Sequence, residues 1–240
     1  FKMGWDKMRV DRHARLVKLG LIDSKWKLSS RDSRAYDWAT ANHEHEDLRM
    51  AVYAAMIDSM DQNIGRLMVA LKKNGAADNT LVLFLSDNGG CAEEPGGRSP
   101  KIVPGPREFY AAVGPAWGWA QNAPFRRYKS WAHEGGIATP CIAWWPGQIK
   151  ANSITKEIGH IIDFMPTFLE LAGGKYPTKH KGNDILPVEG KSLLPILNGG
   201  KRDGHEQIAW EWSGNRALRD GKWKLVWDKL EKSWTLFDLE

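Results

Sequence analysis

Two short segments carry residue types that could do chemistry. The first, Ser86-Asp87-Asn88-Gly89-Gly90, sets a carboxylate beside a carboxamide directly after an apolar run. Oxygen donors of this kind suit a hard cation such as calcium or magnesium, and pairing Asp with Asn keeps the local negative charge moderate. The same Asp-Asn-Gly order is also good chemistry for a plain tight turn. The second, Lys129-Ser130-Trp131-Ala132-His133-Glu134-Gly135-Gly136, joins a lysine to a glycine pair that permits close backbone approach. An ammonium with three donors suits a tetrahedral oxyanion such as sulfate or phosphate. A solvated lysine ahead of a turn reads equally well, so the residues by themselves leave both alternatives open.

Positioning these segments requires strands that end beside them. From His43 onward, Tyr53, Met56, Ile57, Met60, Ile64, Leu67, Met68 and Leu71 recur at three- and four-residue steps, which predicts a long amphipathic helix ended by Asn74-Gly75. The apolar run Thr80 to Leu85 then predicts a short strand buried on both faces, and helix followed by buried strand implies α/β layers. In open α/β sheets ligands bind at the carboxyl ends of strands, which is where Asp87 and Asn88 fall. Residues 89 to 125, rich in Gly and Pro, are predicted to form a long loop, and long ordered loops are usually functional. Its Trp117 and Trp119, with Trp131, either wall the site against an aromatic or sugar substrate or fill the core. A second strand is expected over Ile137 to Trp145, and Asp163 is expected to cap a helix through Ala172, with Pro166 in its first turn.

Residues 1 to 42 are charged and irregular, with a helical pattern only around Asp11 to Leu19, and read as surface connection. Four short segments from Ile208 to Leu239 read as an antiparallel meander in which Trp223 and Trp227 pack. The expected division is therefore an α/β part over residues 1–200 and a small antiparallel subdomain over 201–240.

The 240 residues are 42% hydrophobic, enough for a substantial core, and no stretch approaches the roughly 18 consecutive apolar residues of a membrane-spanning helix. A net charge of +5 from scattered basic residues gives no nucleic-acid footprint. Cys91 and Cys141 lack metal-ligand spacing. His43 and His45, two apart at a helix start, point in different directions, and His160 reads as packing or capping.

Taken in order, several motifs together resemble the sulfatase family, most closely the bacterial arylsulfatases. They are Met60-Asp61-Gln62-Asn63-Ile64-Gly65-Arg66-Leu67, Ser86-Asp87-Asn88-Gly89-Gly90, Pro124-Phe125-Arg126-Arg127-Tyr128-Lys129, His133-Glu134-Gly135-Gly136, Trp145-Pro146-Gly147, Asp163-Phe164-Met165-Pro166-Thr167 and Asp220-Gly221-Lys222-Trp223-Lys224-Leu225. The resemblance implies an alkaline-phosphatase-like α/β sandwich with a mostly parallel central sheet, present here in part, and a small C-terminal antiparallel β subdomain. It implies that Asp87 and Asn88 are calcium ligands, forming part of a set, and that Lys129 contacts the sulfate group. His133 varies in the family, so substrate contact and packing both remain open, while Glu134 is expected to order the loop.

The family's nucleophile is formylglycine made from a cysteine in C-x-P-S-R or C-x-A-S-R. Neither cysteine here has that context, since Cys91 precedes Ala92-Glu93-Glu94-Pro95 and Cys141 precedes Ile142-Ala143-Trp144-Trp145. The resemblance thus implies the C-terminal half of a calcium-dependent sulfuric ester hydrolase, with formylglycine and further calcium ligands upstream of Phe1. Its expected partner is a sulfate ester small molecule or a sulfated glycan, and periplasmic or secreted localisation is expected. A phosphonate or phosphodiester hydrolase of the same superfamily and a non-catalytic binder of sulfated glycan are the alternatives.

Overall fold

The computed structural model describes residues 1–240 except Gly96, Arg98, Pro100 and Ala111. In chain order its elements are helices α1 (Gly4–Lys18) and α2 (His43–Lys73), strand β1 (Val82–Leu85), helices α3 (Gly114–Gln121) and α4 (Glu134–Ile137), and strand β2 (Cys141–Trp144). There follow α5 (Phe164–Leu171), β3 (Lys179–His180), β4 (Asn183–Asp184), α6 (Leu194–Leu197), β5 (Gln207–Trp212), β6 (Asn215–Asp220), β7 (Trp223–Asp228) and β8 (Ser233–Asp238). β1 pairs with β2, β3 with β4, and β5-β6-β7-β8 form a four-stranded sheet. The chain divides into a unit of residues 1–70, 85–141 and 209–240 and a unit of residues 71–84 and 142–208.

The core of the first unit corrects the reading of residues 1 to 42 as surface connection. Trp5 on α1 is 0% exposed, and its ring meets Trp38 edge-on at 4.7 Å and Trp117 at 5.4 Å. One turn on, the buried Arg9 lies 3.8 Å over the Trp119 ring and donates to the Trp119 carbonyl at 2.6 Å. The buried stripe of α1 is thus a tryptophan and an arginine on an otherwise polar helix, so apolar periodicity alone does not reveal it.

The partner of α1 is α3, where a long loop was expected. Pro115 sits in its first turn, where a missing N–H costs nothing, and small residues let both tryptophans enter the core. Trp117 Nε1 donates to Glu46 Oε2 at 3.0 Å, and the same carboxylate accepts from Tyr36 Oη at 2.7 Å and Arg49 at 2.9 Å. Trp117 and Trp119 therefore fill the core.

α2 forms over the predicted range, but its burial is confined to Glu46, Arg49 and Met50 near the N-terminus. Met56, Leu67 and Val69 remain exposed, and Phe84 of β1 is also exposed, so β1 is not covered on both faces by the described residues. The apolar pattern was read correctly as helix and strand; the covering surface it implies is not supplied by the described residues.

The C-terminal meander forms as expected. Ala217 pairs with Val226 and Lys224 with Phe237 in antiparallel register, and Ala217 and Val226 pack with Ala132. Leu218, Leu225 and Leu236 share the opposite, exposed face. Trp227 on that face packs against Trp234 at 5.5 Å, whereas Trp223 is exposed, contrary to the expectation that both pack.

In the second unit Asp163 caps differently from the expectation. Its carboxylate reaches back to the His160 amide at 2.8 Å, closing a 3₁₀ turn over Ile161–Asp163, and gives α5 no side-chain cap. It also accepts from the Lys191 amide at 2.8 Å, Arg202 at 2.6 Å and His205 at 2.7 Å. A fully buried carboxylate must be matched by donors, and four supply the match here. If α1 is core, Trp5→Ala should lower unfolding free energy by about 3–5 kcal/mol; urea denaturation showing a loss under about 1 kcal/mol would return residues 1 to 42 to the surface.

Candidate functional site

β1 ends at Leu85 and the chain turns at once, with Ser86 Oγ donating to the Asn88 carbonyl at 2.8 Å. That turn leaves the Asp87 carboxylate exposed and Asn88 half-buried. Backbone bonds then join it to the lysine segment. Gly89 N donates to the Gly136 carbonyl at 2.9 Å and Lys129 N to the Gly90 carbonyl at 3.2 Å.

Glycine is required for this approach. A Cβ on Gly89 would stand 1.8 Å from the Gly135 carbonyl oxygen, and one on Gly135 would stand 2.2 Å from the Arg127 carbonyl. A Cβ on Gly136 would meet the Trp131 carbonyl at 2.0 Å. These are backbone atoms that cannot swing aside, so the segments interlock only because side chains are absent.

Asp87 and Lys129 are thereby brought to one place. The Lys129 ammonium donates to Glu93 Oε2 at 3.1 Å, and its pKa is raised by that hydrogen bond first, with Cys91 and Asp87 adding electrostatically. The Glu93 carboxyl is correspondingly held below its ordinary value by Lys129. Neither Glu93 nor this pairing was singled out in the sequence, because nothing in the spacing of 93 and 129 announces it.

The lysine segment is fixed from behind by buried ions. Arg127, held at φ 66°, donates through Nε to Asp228 at 2.8 Å and through Nη1 to Asp32 at 2.8 Å. Burial works against the Arg127 charge, yet Asp228 and Asp32 leave its pKa raised. Tyr128 Oη also donates to Asp32 at 3.2 Å, and Asn215 holds the Ser130 carbonyl at 2.8 Å. Lys224 of β7, 1% exposed at its side chain, donates to Glu134, which orders the loop as expected. Removing one partner from buried pairs of this kind typically costs about 3–5 kcal/mol.

His133 is 2% exposed and lies edge-on to Phe237 at 5.8 Å, closed to solvent. Among the described residues neither ring nitrogen has a hydrogen-bond partner, and burial, with Arg126, Arg127 and Lys224 nearby, pushes its pKa down to about 3. Trp131 is buried as well, so all three site tryptophans pack in the core.

For a cation, the donor set is partial. Among the described residues no group of three or more His, Cys, Asp or Glu side chains converges on a metal position. Among them, too, no hydrogen bond engages the Asp87 carboxylate or the Asn88 side-chain oxygen, which leaves three oxygens on two side chains available to a hard ion. These residues fit part of a calcium shell and fall well short of a whole one.

These elements define an α/β protein with a four-stranded antiparallel C-terminal sheet. Residues 22–174 match the Sulfatase family model, and residues 125–240 match the model described as N-sulphoglucosamine sulphohydrolase, C-terminal. The chain belongs to the sulfatase family. It is 32% identical to an uncharacterized sulfatase of Schizosaccharomyces pombe, an alignment covering 100% of this chain and 47% of that protein. It is 31% identical to an arylsulfatase of Klebsiella aerogenes over 82% of this chain and 45% of the relative. The chain thus spans about half the length of the curated relatives it matches. The solved structure of Ps i-CgsB in complex with k-i-k-neocarrahexaose shares the fold at TM-score 0.59, with 22% identity over 95% of this chain and 48% of that one.

The state of His133 has a pH signature. Its folded pKa of about 3 lies below the ordinary 6.5, so the unfolded chain binds a proton that the fold refuses. Stability from this group is complete above 6.5 and declines as pH falls toward 3, by about 1.4 kcal/mol per pH unit. His133→Leu should remove that component from the pH dependence of urea unfolding; identical slopes in both proteins would mean that His133 is charged in the fold.

Proposed function

We propose that the complete protein is a calcium-dependent sulfuric ester hydrolase of the arylsulfatase kind, acting on a sulfate ester small molecule or a sulfated glycan. The observation that carries this reading is the joining of the Lys129 and Asp87 loops by backbone hydrogen bonds, with the ammonium inside the electrostatic reach of the carboxylate. The relatives' names support the reaction class, and the neocarrahexaose held by Ps i-CgsB supports a saccharide as one form of substrate.

In this reading Lys129 binds a sulfate oxygen through its ammonium and offsets the negative charge that grows there in the transition state. Asp87 and Asn88 hold part of the calcium shell, and the ion, when bound, supplies Lewis-acid polarisation of the sulfate oxygens. The interlocked glycines keep carboxylate, amide and ammonium at fixed spacing, so little reorganisation accompanies reaction. His133, neutral and enclosed, packs behind the lysine segment and touches no substrate. The formylglycine nucleophile belongs to residues outside these 240.

Two outcomes follow. Lys129→Ala in the complete protein should lower turnover of a sulfate ester by roughly 10²-fold or more, by analogy with removal of other preorganised charge-stabilising donors. An undiminished rate removes Lys129 from the site, and faster cleavage of the matching phosphate ester would move the protein to another hydrolase class. Residues 1–240 alone should bind calcium weakly and turn nothing over, because calcium takes 6 to 8 oxygens; stoichiometric micromolar uptake by calorimetry would contradict the partial ligand set.

A further inference from the structure

The group that occupies the Lys129 ammonium is a carboxylate of the chain itself. Glu93 Oε2 sits 3.1 Å from Lys129 Nζ, where the reading above needs a sulfate oxygen, and the pair is open to water, with side-chain exposures of 57% and 37%. Ion pairs this exposed contribute about 0–1 kcal/mol, so an incoming sulfate can displace the carboxylate from the ammonium. Displacement does not send Glu93 far. On one side of it Ala92 is buried against α3, where a Cβ on Gly118 would meet the Ala92 Cβ at 3.0 Å. On the other side Glu94 is held by the buried Arg49 at 3.4 Å. Cys91 Sγ also donates to the same Glu93 oxygen at 3.6 Å. The backbone of residue 93 is therefore pinned on both flanks, and its carboxylate stays beside the lysine after giving up the hydrogen bond.

We infer that Glu93 is a specificity-determining residue, a charge filter that admits a lone sulfate ester at Lys129 and disfavours substrates carrying a second negative charge next to it. This rests on the reading of Lys129 as the sulfate contact. The favoured class is then a sulfate monoester whose neighbouring positions are neutral, hydroxyl-bearing or cationic. A vicinal carboxylate or second sulfate meets the Glu93 charge at a few ångströms, in partly exposed surroundings where like charges repel modestly.

The test uses the complete protein, Glu93→Gln and Lys129→Ala, with 4-nitrophenyl sulfate and the same ester bearing a carboxylate ortho to the sulfate. Glu93→Gln should raise kcat/KM for the carboxylate-bearing ester relative to the neutral one by about five-fold. Inorganic sulfate, titrated calorimetrically, should bind the variant tighter by a similar factor, which gives a readout free of turnover. Lys129→Ala should collapse activity toward both esters. If it does so while the Glu93→Gln ratio and sulfate affinity stay within about two-fold of the parent, the filter is wrong and the lysine reading stands. If Lys129→Ala leaves both rates intact, the lysine reading fails and the filter with it. Should Glu93→Gln misfold, judged by its thermal transition, Glu93→Ser at the same exposed position carries the identical expectation.

Discussion

The site depends on one steric constraint, the approach of two backbone segments to a distance that leaves no room for a Cβ. Gly89 against the Gly135 carbonyl, and Gly135 and Gly136 against the carbonyls of Arg127 and Trp131, form a continuous interlock. Hydrogen bonds from Gly89 N and Lys129 N run across it. Because the contact is between main chains, the backbone positions of residues 87 and 129 are set by steric contact and hydrogen bonds and not by flexible side-chain packing. The C-terminal sheet offers no side chain to the site, yet Asp228, Lys224 and Asn215 all grip the lysine segment from behind. A subdomain that looks peripheral in sequence is thus part of what aims the ammonium.

Two kinds of ion pair divide the work. Arg127 with Asp32 and Asp228 is enclosed, and losing a partner there strands a charge out of water, at a cost of several kcal/mol. Lys129 with Glu93 is open to solvent and exchanges at little cost. Two cations two residues apart, each paired to carboxylate, therefore differ by burial: one is a fixture, and the other is open to exchange, as the proposed ligand contact requires.

Much of this was legible in the sequence, for identifiable reasons. The 43–73 helix is written in its apolar period, and the meander in its short β-branched and aromatic runs broken by turns; both formed where expected. Asp87, Asn88 and Lys129 were singled out because an oxygen pair at a strand end and a lysine before glycines are local patterns, and the structure joins the two loops that carry them. What was missed is non-local or polar. α1 hides its core role behind Arg9, a charged residue satisfied by a carbonyl and an aromatic face. α3 begins Gly-Pro and so reads as loop, although proline is tolerated in a first helical turn. The Arg127–Asp32 pair spans 95 residues and the Asp163–Arg202 pair 39, and no period or spacing encodes such partnerships.

The charge balance at the site also bears on why a cation belongs in the reading. Around the ammonium of Lys129 stand two carboxylates, Glu93 and Asp87, so the side chains alone leave an excess of negative charge where a sulfate ester must arrive. A lysine in that company is a weaker anion receptor than an unpaired one, since the carboxylates repel the ester that the ammonium attracts. In the proposed function, a divalent ion on Asp87 and Asn88 would invert that sign and use the surplus carboxylate for coordination. On that proposal the exposed Asp87 carboxylate, the half-buried Asn88 side chain and the paired Lys129 would be halves of one electrostatic arrangement toward sulfate.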